Sequence, residues 1–190
     1  PTLYPYLPEL IDAFHDRGIT TFLVSNGTRP SVLEQCDPTQ LYVSVDAADR
    51  QTFKDVVKPV EENAWERLIG TLDVLAEKDD TRTVLRTTLL SGHNMHHPEW
   101  FAAMFDRADA DFVELKAYMH VGNSRGRLDR DVMPDHEDVV AFTEAVREFL
   151  PFVRDVEASR VALLARDEDT MVPELKGGSD FWRQEPYAES

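Results

Sequence analysis

Four strand-like runs in this chain end in polar residues, and each is followed by helix-like periodicity or a loop leading into it. The runs are TTFLVSNGT (20–28), LYVSVDA (41–47), RTVLRTTLLSG (82–92) and DFVELKAYMHVG (111–122). A further strand is expected at ASRVALLAR (158–166). Helical spacing of apolar residues marks 7–17, 49–58, 61–78, 98–108 and 135–149, and a short helix with Pro30 at its start is expected over 30–36, ending at Cys36. Strands that alternate with helices predict a parallel α/β sheet, closed or doubly wound. In such sheets ligands sit beyond the carboxyl ends of the strands. Here those ends carry Ser25, Asn26 and Thr28; Ser44 and Asp46; Arg86 through Asn94; and Lys116, Tyr118 and His120.

The chain has 190 residues, enough for one domain with a sizeable core. The segment 1–166 reads as that domain, and 167–190, which lacks periodicity, as an irregular extension. No apolar run approaches the roughly 18 residues of a membrane span. One cysteine, Cys36, excludes an internal disulfide framework and fits a reducing cytoplasm. Acids outnumber bases 36 to 20, for a net charge of −16. That balance ordinarily argues against nucleic acid. The acids are dispersed, however, as on proteins kept soluble in concentrated salt, so local charge carries more information. Between Lys116 and Leu128 there are three cations (Lys116, Arg125 and Arg127) and no acid. A cationic, glycine-hinged loop on so acidic a chain predicts an anionic ligand.

Each candidate has a structural reading beside the functional one. Ser25, Asn26 and Thr28 cap a helix or bind a ligand. Ser44 and Asp46 share one face of their strand and suit the two hydroxyls of a ribose, unless Asp46 caps the helix starting near Asp49. Arg86, inside a mainly apolar strand, needs an acid or an anionic ligand. Lys116, Tyr118 and His120 share a face with Glu114, which is a partner for Lys116. Arg125 and Arg127 bind phosphate or pair with Asp129, Asp131 or Asp135. His93, His96 and His97 lack the frame of a metal site, and none is expected in this chain. Trp65 and Trp100 are expected in the core; Trp182, in the tail, packs or touches a partner.

The succession PTLYPYLPELI, TTFLVSNGT, QLYVSVDA, RTTLLSGHNM and VELKAYMHVGNSRGRL resembles the tRNA 4-demethylwyosine synthase family from Pro1 to about Arg166. YMHVGNSRGRL followed by MPDHEDV carries the specific part of that likeness. The resemblance implies a partial TIM-like (β/α)6 barrel of the radical S-adenosylmethionine type, with the cationic loop at the end of its sixth strand. It implies a carbon–carbon lyase that condenses N1-methylguanosine, beside the anticodon of phenylalanine tRNA, with pyruvate. The cofactors would be S-adenosylmethionine and [4Fe–4S] clusters, and an electron donor would be a partner.

By the resemblance, S-adenosylmethionine faces Thr2, Ser25, Asn26, Ser44, Asp46, Arg86 and Asn94. The tRNA faces Tyr118, His120, Ser124, Arg125 and Arg127, and Lys116 is a candidate catalytic residue near substrate. The chain departs from the family pattern at its start. It opens on PTLYP without a strand, and neither the cluster cysteines nor the pyruvate lysine is expected within it, as though truncated. Two alternatives remain: a radical S-adenosylmethionine enzyme acting on a small molecule or peptide, and a non-catalytic RNA-binding remnant.

Overall fold

A computed structural model describes residues 1–147, 152–156 and 160–165. Six strands form one sheet: β1 (Phe22–Ser25), β2 (Gln40–Ser44), β3 (Arg82–Leu89), β4 (Phe112–Ala117), β5 (Phe152–Val156) and β6 (Val161–Ala165). Their order is β1-β2-β3-β4-β6-β5. The first four pair in parallel, as the strand–helix alternation predicts. The end of the sheet differs from that expectation. β6 runs antiparallel to β4, and β5, at residues not anticipated as a strand, pairs antiparallel with β6. The predicted final strand therefore returns as half of a hairpin rather than as another parallel unit.

The helices are α1 (Leu7–His15), α2 (Pro30–Leu33), α3 (Arg50–Val57), α4 (Ala64–Ala76), α5 (Pro98–Ala108) and α6 (His136–Val146). Asp49 starts α3, its carboxylate accepting from the backbone N–H of Gln51 at 2.8 Å and Thr52 at 3.0 Å. This leaves Asp46 free of the capping role considered for it. Asp135 starts α6 through a reciprocal box: it accepts from Asp138 N at 2.9 Å, and the Asp138 carboxylate accepts from Asp135 N at 3.2 Å.

The two faces of the sheet differ. Leu23, Leu41, Val43, Leu85, Leu89, Val113, Leu115 and Leu164 pack in the main core with Leu68, Leu72, Phe101, Phe105 and Val139 from the helices. The opposite face carries a small apolar cluster of Val84, Phe112 and Ala165, against which Tyr42 and Leu163 pack. In α5 the buried stripe is Phe101, Met104, Phe105 and Ala108. Trp100 lies one residue off that stripe and is 43% exposed, not in the core; Trp65 is half-buried. In α1, Leu7 and Ile11 are buried, but Leu10 and Phe14 are not. Phe149, Trp182 and the segment 167–190 lie outside the described residues.

Candidate functional site

Strand register stacks the face away from the helices into rows. Tyr42, Val84, Phe112 and Ala165 are successive neighbours and form an apolar floor. One step toward the strands' carboxyl ends, Ser44, Arg86 and Glu114 align. One step further, Thr88 aligns with Lys116, and the Asp46 carboxylate reaches this level by accepting from Thr88 N at 2.7 Å. Side chains two residues apart share a face, so three strands place a polar band above the apolar floor.

Within the band, Arg86 is paired. Its Nε donates to Glu114 Oε1 at 2.7 Å, and its guanidinium lies 4.6 Å from the centre of the Tyr42 ring. Of the two partners the sequence allows, the acid is present, and Glu114 serves Arg86 rather than Lys116. Among the described residues Lys116 makes no ion pair, although it is half-buried on the same face. Burial pushes the Asp46 carboxyl above its usual range, against the hydrogen bonds from Thr88 and the Arg86 charge.

Asn94 is fully buried and its amide is used within the fold. It accepts from Leu90 N at 2.7 Å and donates to the carbonyls of Asp46 at 2.9 Å and Thr88 at 2.8 Å. Both donor hydrogens are thus occupied, so Asn94 braces the rim and does not reach a ligand as expected of it.

At the end of β1, the buried Ser25 hydroxyl accepts from Gly27 N at 3.1 Å. Asn26 Oδ1 accepts from the Thr28 hydroxyl at 2.9 Å and the Thr28 N–H at 3.3 Å. The turn is pressed onto α4, where the Thr71 hydroxyl donates to the Gly27 carbonyl at 2.7 Å. Thr2, Ser25, Asn26, Thr28, Arg29 and Lys58 are among the residues lining a cavity of about 600 Å³. Its size and its hydroxyl and amide groups fit a nucleoside-sized cofactor. Arg29 is paired with Glu61 at 2.9 Å.

Iron–sulfur clusters find no such fit. Cys36 follows α2 in a turn rather than standing in a helix, and it is fully buried. Burial pushes its thiol above the usual value, and one protonated thiol cannot hold a cluster. His93, His96 and His97 are exposed; the His97 ring stacks on Trp100 at 4.0 Å. Among the described residues no group of His, Cys, Asp or Glu is arranged to hold a metal ion, and no helix is long and apolar enough to cross a membrane.

Beyond β4, residues Gly122–Gly126 and Arg130–Val132 form short 3-10 turns. Tyr118 is buried, and its hydroxyl donates to the Ser124 carbonyl at 3.3 Å. The Ser124 hydroxyl donates to Met119 O and accepts from Val121 N, both at 3.1 Å. These two residues therefore hold the loop together; Tyr118, expected to face the tRNA, has no exposed ring to offer it. Arg125 and Arg127 are exposed, and among the described residues neither pairs with Asp129, Asp131 or Asp135. Arg125 Nε donates to the His120 carbonyl at 3.2 Å. Arg130, which was not among the expected residues, lines a pocket together with Arg125; its signal in the sequence is a further cation three residues after Arg127.

A family model described as wyosine base formation matches residues 107–166. An S-adenosyl-L-methionine-dependent tRNA 4-demethylwyosine synthase of Pyrococcus horikoshii is 46% identical over 176 residues, covering 88% of this chain and 51% of that protein. The synthase of Methanocaldococcus jannaschii is 44% identical over 177 residues, covering 92% of this chain and 56% of that protein. A solved structure of TYW1 with a lysine–pyruvate adduct bound superposes with a TM-score of 0.79 at 43% identity, covering 87% of this chain and 53% of that one. The chain thus spans about half the length of the curated relatives it matches. By sequence and fold together, over that half, it belongs to the tRNA 4-demethylwyosine synthase family.

Proposed function

We propose that this chain is the cofactor- and RNA-facing portion of a cytoplasmic radical S-adenosylmethionine enzyme, a carbon–carbon lyase. Its reaction joins N1-methylguanosine, beside the anticodon of phenylalanine tRNA, with pyruvate to form the tricyclic 4-demethylwyosine base. The observation that carries this reading is the polar band on one sheet face, flanked by a nucleoside-sized cavity and a cationic loop. The names of the relatives, which specify S-adenosylmethionine and tRNA, agree with those two kinds of ligand.

The chain's own share is binding and positioning. Thr2, Ser25 and Asn26 line the cavity for S-adenosylmethionine, whose bound form supplies the radical chemistry. Ser44 and Asp46 hold its ribose hydroxyls. Arg86, neutralised by Glu114, serves as a wall and not as a receptor for the cofactor carboxylate. Lys116, with no acid partner among the described residues, attracts the carboxylate of pyruvate. His120, Arg125 and Arg127 face the tRNA backbone, while Tyr118 and Ser124 keep their loop in shape. Among the described residues no group of side chains is arranged to hold an iron–sulfur cluster, and an external electron donor completes the reaction.

The test is direct. The full-length protein carrying this chain is incubated with N1-methylguanosine-containing phenylalanine tRNA, S-adenosylmethionine, pyruvate and a reductant, and the digested RNA is analysed by mass spectrometry. Appearance of the tricyclic base, dependent on pyruvate, is expected. Its absence from a cluster-loaded, folded preparation would sink the assignment.

A further inference from the structure

A second pocket, of about 490 Å³, opens where the chain leaves β4. Met119, His120, Val121, Arg125, Arg130 and Met133 line it. No carboxylate is among these residues, on a chain whose acids outnumber its bases 36 to 20. Arg125 and Arg130 come from two different 3-10 turns, so the fold and not mere sequence adjacency brings them to one pocket. Arg125 is aimed by its own Nε, which donates to the His120 carbonyl at 3.2 Å and leaves the terminal nitrogens forward. Among the described residues neither arginine has an acid partner.

The pocket is also built in advance. Tyr118 and Ser124 lock the first turn through side-chain bonds to the Ser124, Met119 and Val121 backbone. The second turn is tied to the loop after β3 by Ser91 N donating to Val132 O at 2.9 Å. A site held this way loses little freedom when a ligand arrives. Its chemistry is two-sided. Guanidinium groups match phosphate oxygens in pairs, whereas Met119, Val121 and Met133 give an apolar wall. Methionine sulfur packs well against aromatic rings.

We propose that this pocket receives one nucleotide of an RNA loop, its phosphate on Arg125 and Arg130 and its base against Met119 and Met133. The inference rests on the RNA-modifying reading above and adds to it Arg130 and the methionine wall, which turn a charged loop into a discrete nucleotide site. Binding is measured on the full-length protein by fluorescence anisotropy with a labelled anticodon stem–loop RNA at several salt concentrations. Guanosine monophosphate is titrated separately.

Arg130→Gln should weaken RNA binding by about tenfold and lower the salt slope by about one, with the thermal midpoint unchanged. Met119→Ala, at an exposed position, should weaken it by about threefold and leave the slope alone, because the lost contact carries no charge. RNA affinity and slope indifferent to Arg130→Gln would overturn the pocket and leave the RNA reading standing. A wild-type protein without RNA affinity would overturn both. Guanosine monophosphate that binds as tightly as the RNA and displaces it would reassign the pocket to a free nucleotide.

Discussion

Asp46 serves the backbone of one strand and the open face of the sheet with a single carboxyl. Its folded value is raised by burial, so the native state keeps a proton that the unfolded chain has already released. That contribution is complete below the unfolded carboxylate value of about 3.9 and is lost as pH rises through the folded value. Asp46→Asn keeps an acceptor for Thr88 N and removes the titration. The variant's thermal midpoint should match the wild type near pH 3 and exceed it increasingly toward neutrality, while S-adenosylmethionine affinity falls. A constant difference across pH would show that burial of the charge is not what Asp46 contributes. Neighbouring Arg86 marks the limit of reading single residues. Sequence says that a guanidinium in an apolar strand needs an anion; it does not say that Glu114, on the next strand, is the residue in register with it.

The turn after β1 depends on Gly27, whose φ of +69° is one that side chains disfavour. A Cβ there would lie 2.6 Å from Leu68 Cδ1 and 3.0 Å from Val43 Cγ1. Gly27→Ala therefore adds left-handed strain to overpacking and should cost about 2–4 kcal/mol, read as a lower urea midpoint with an unchanged slope. Retained stability would mean that α4 can withdraw from the turn. The parallel strands were legible because their apolar runs are bounded by polar strand ends and alternate with helical periodicity. The hairpin was not, because FVRDV at β5 has no clean alternation and pairing direction is a tertiary property. Trp100 shows the same limit within a helix. Its type suggests a core position, but the stripe Phe101, Met104, Phe105 and Ala108 fills the buried face without it.

At the scale of the molecule, a charge of −16 repels itself in dilute buffer. Raising potassium chloride from about 0.1 M to about 2 M shortens the screening length from roughly 10 Å to below 3 Å. The thermal midpoint should rise over that range, and a flat or falling curve would dissociate the acidic surface from salt tolerance. The same salt weakens phosphate contacts, so a pocket pairing two arginines with two methionines retains a grip that ions do not dissolve. Ser91 N and Val132 O join the rim after β3 to the turn carrying Arg130. That backbone bond holds the turn carrying Arg130 against the end of the strand that presents Arg86 and Thr88, so the nucleotide pocket and the polar band share one supporting rim.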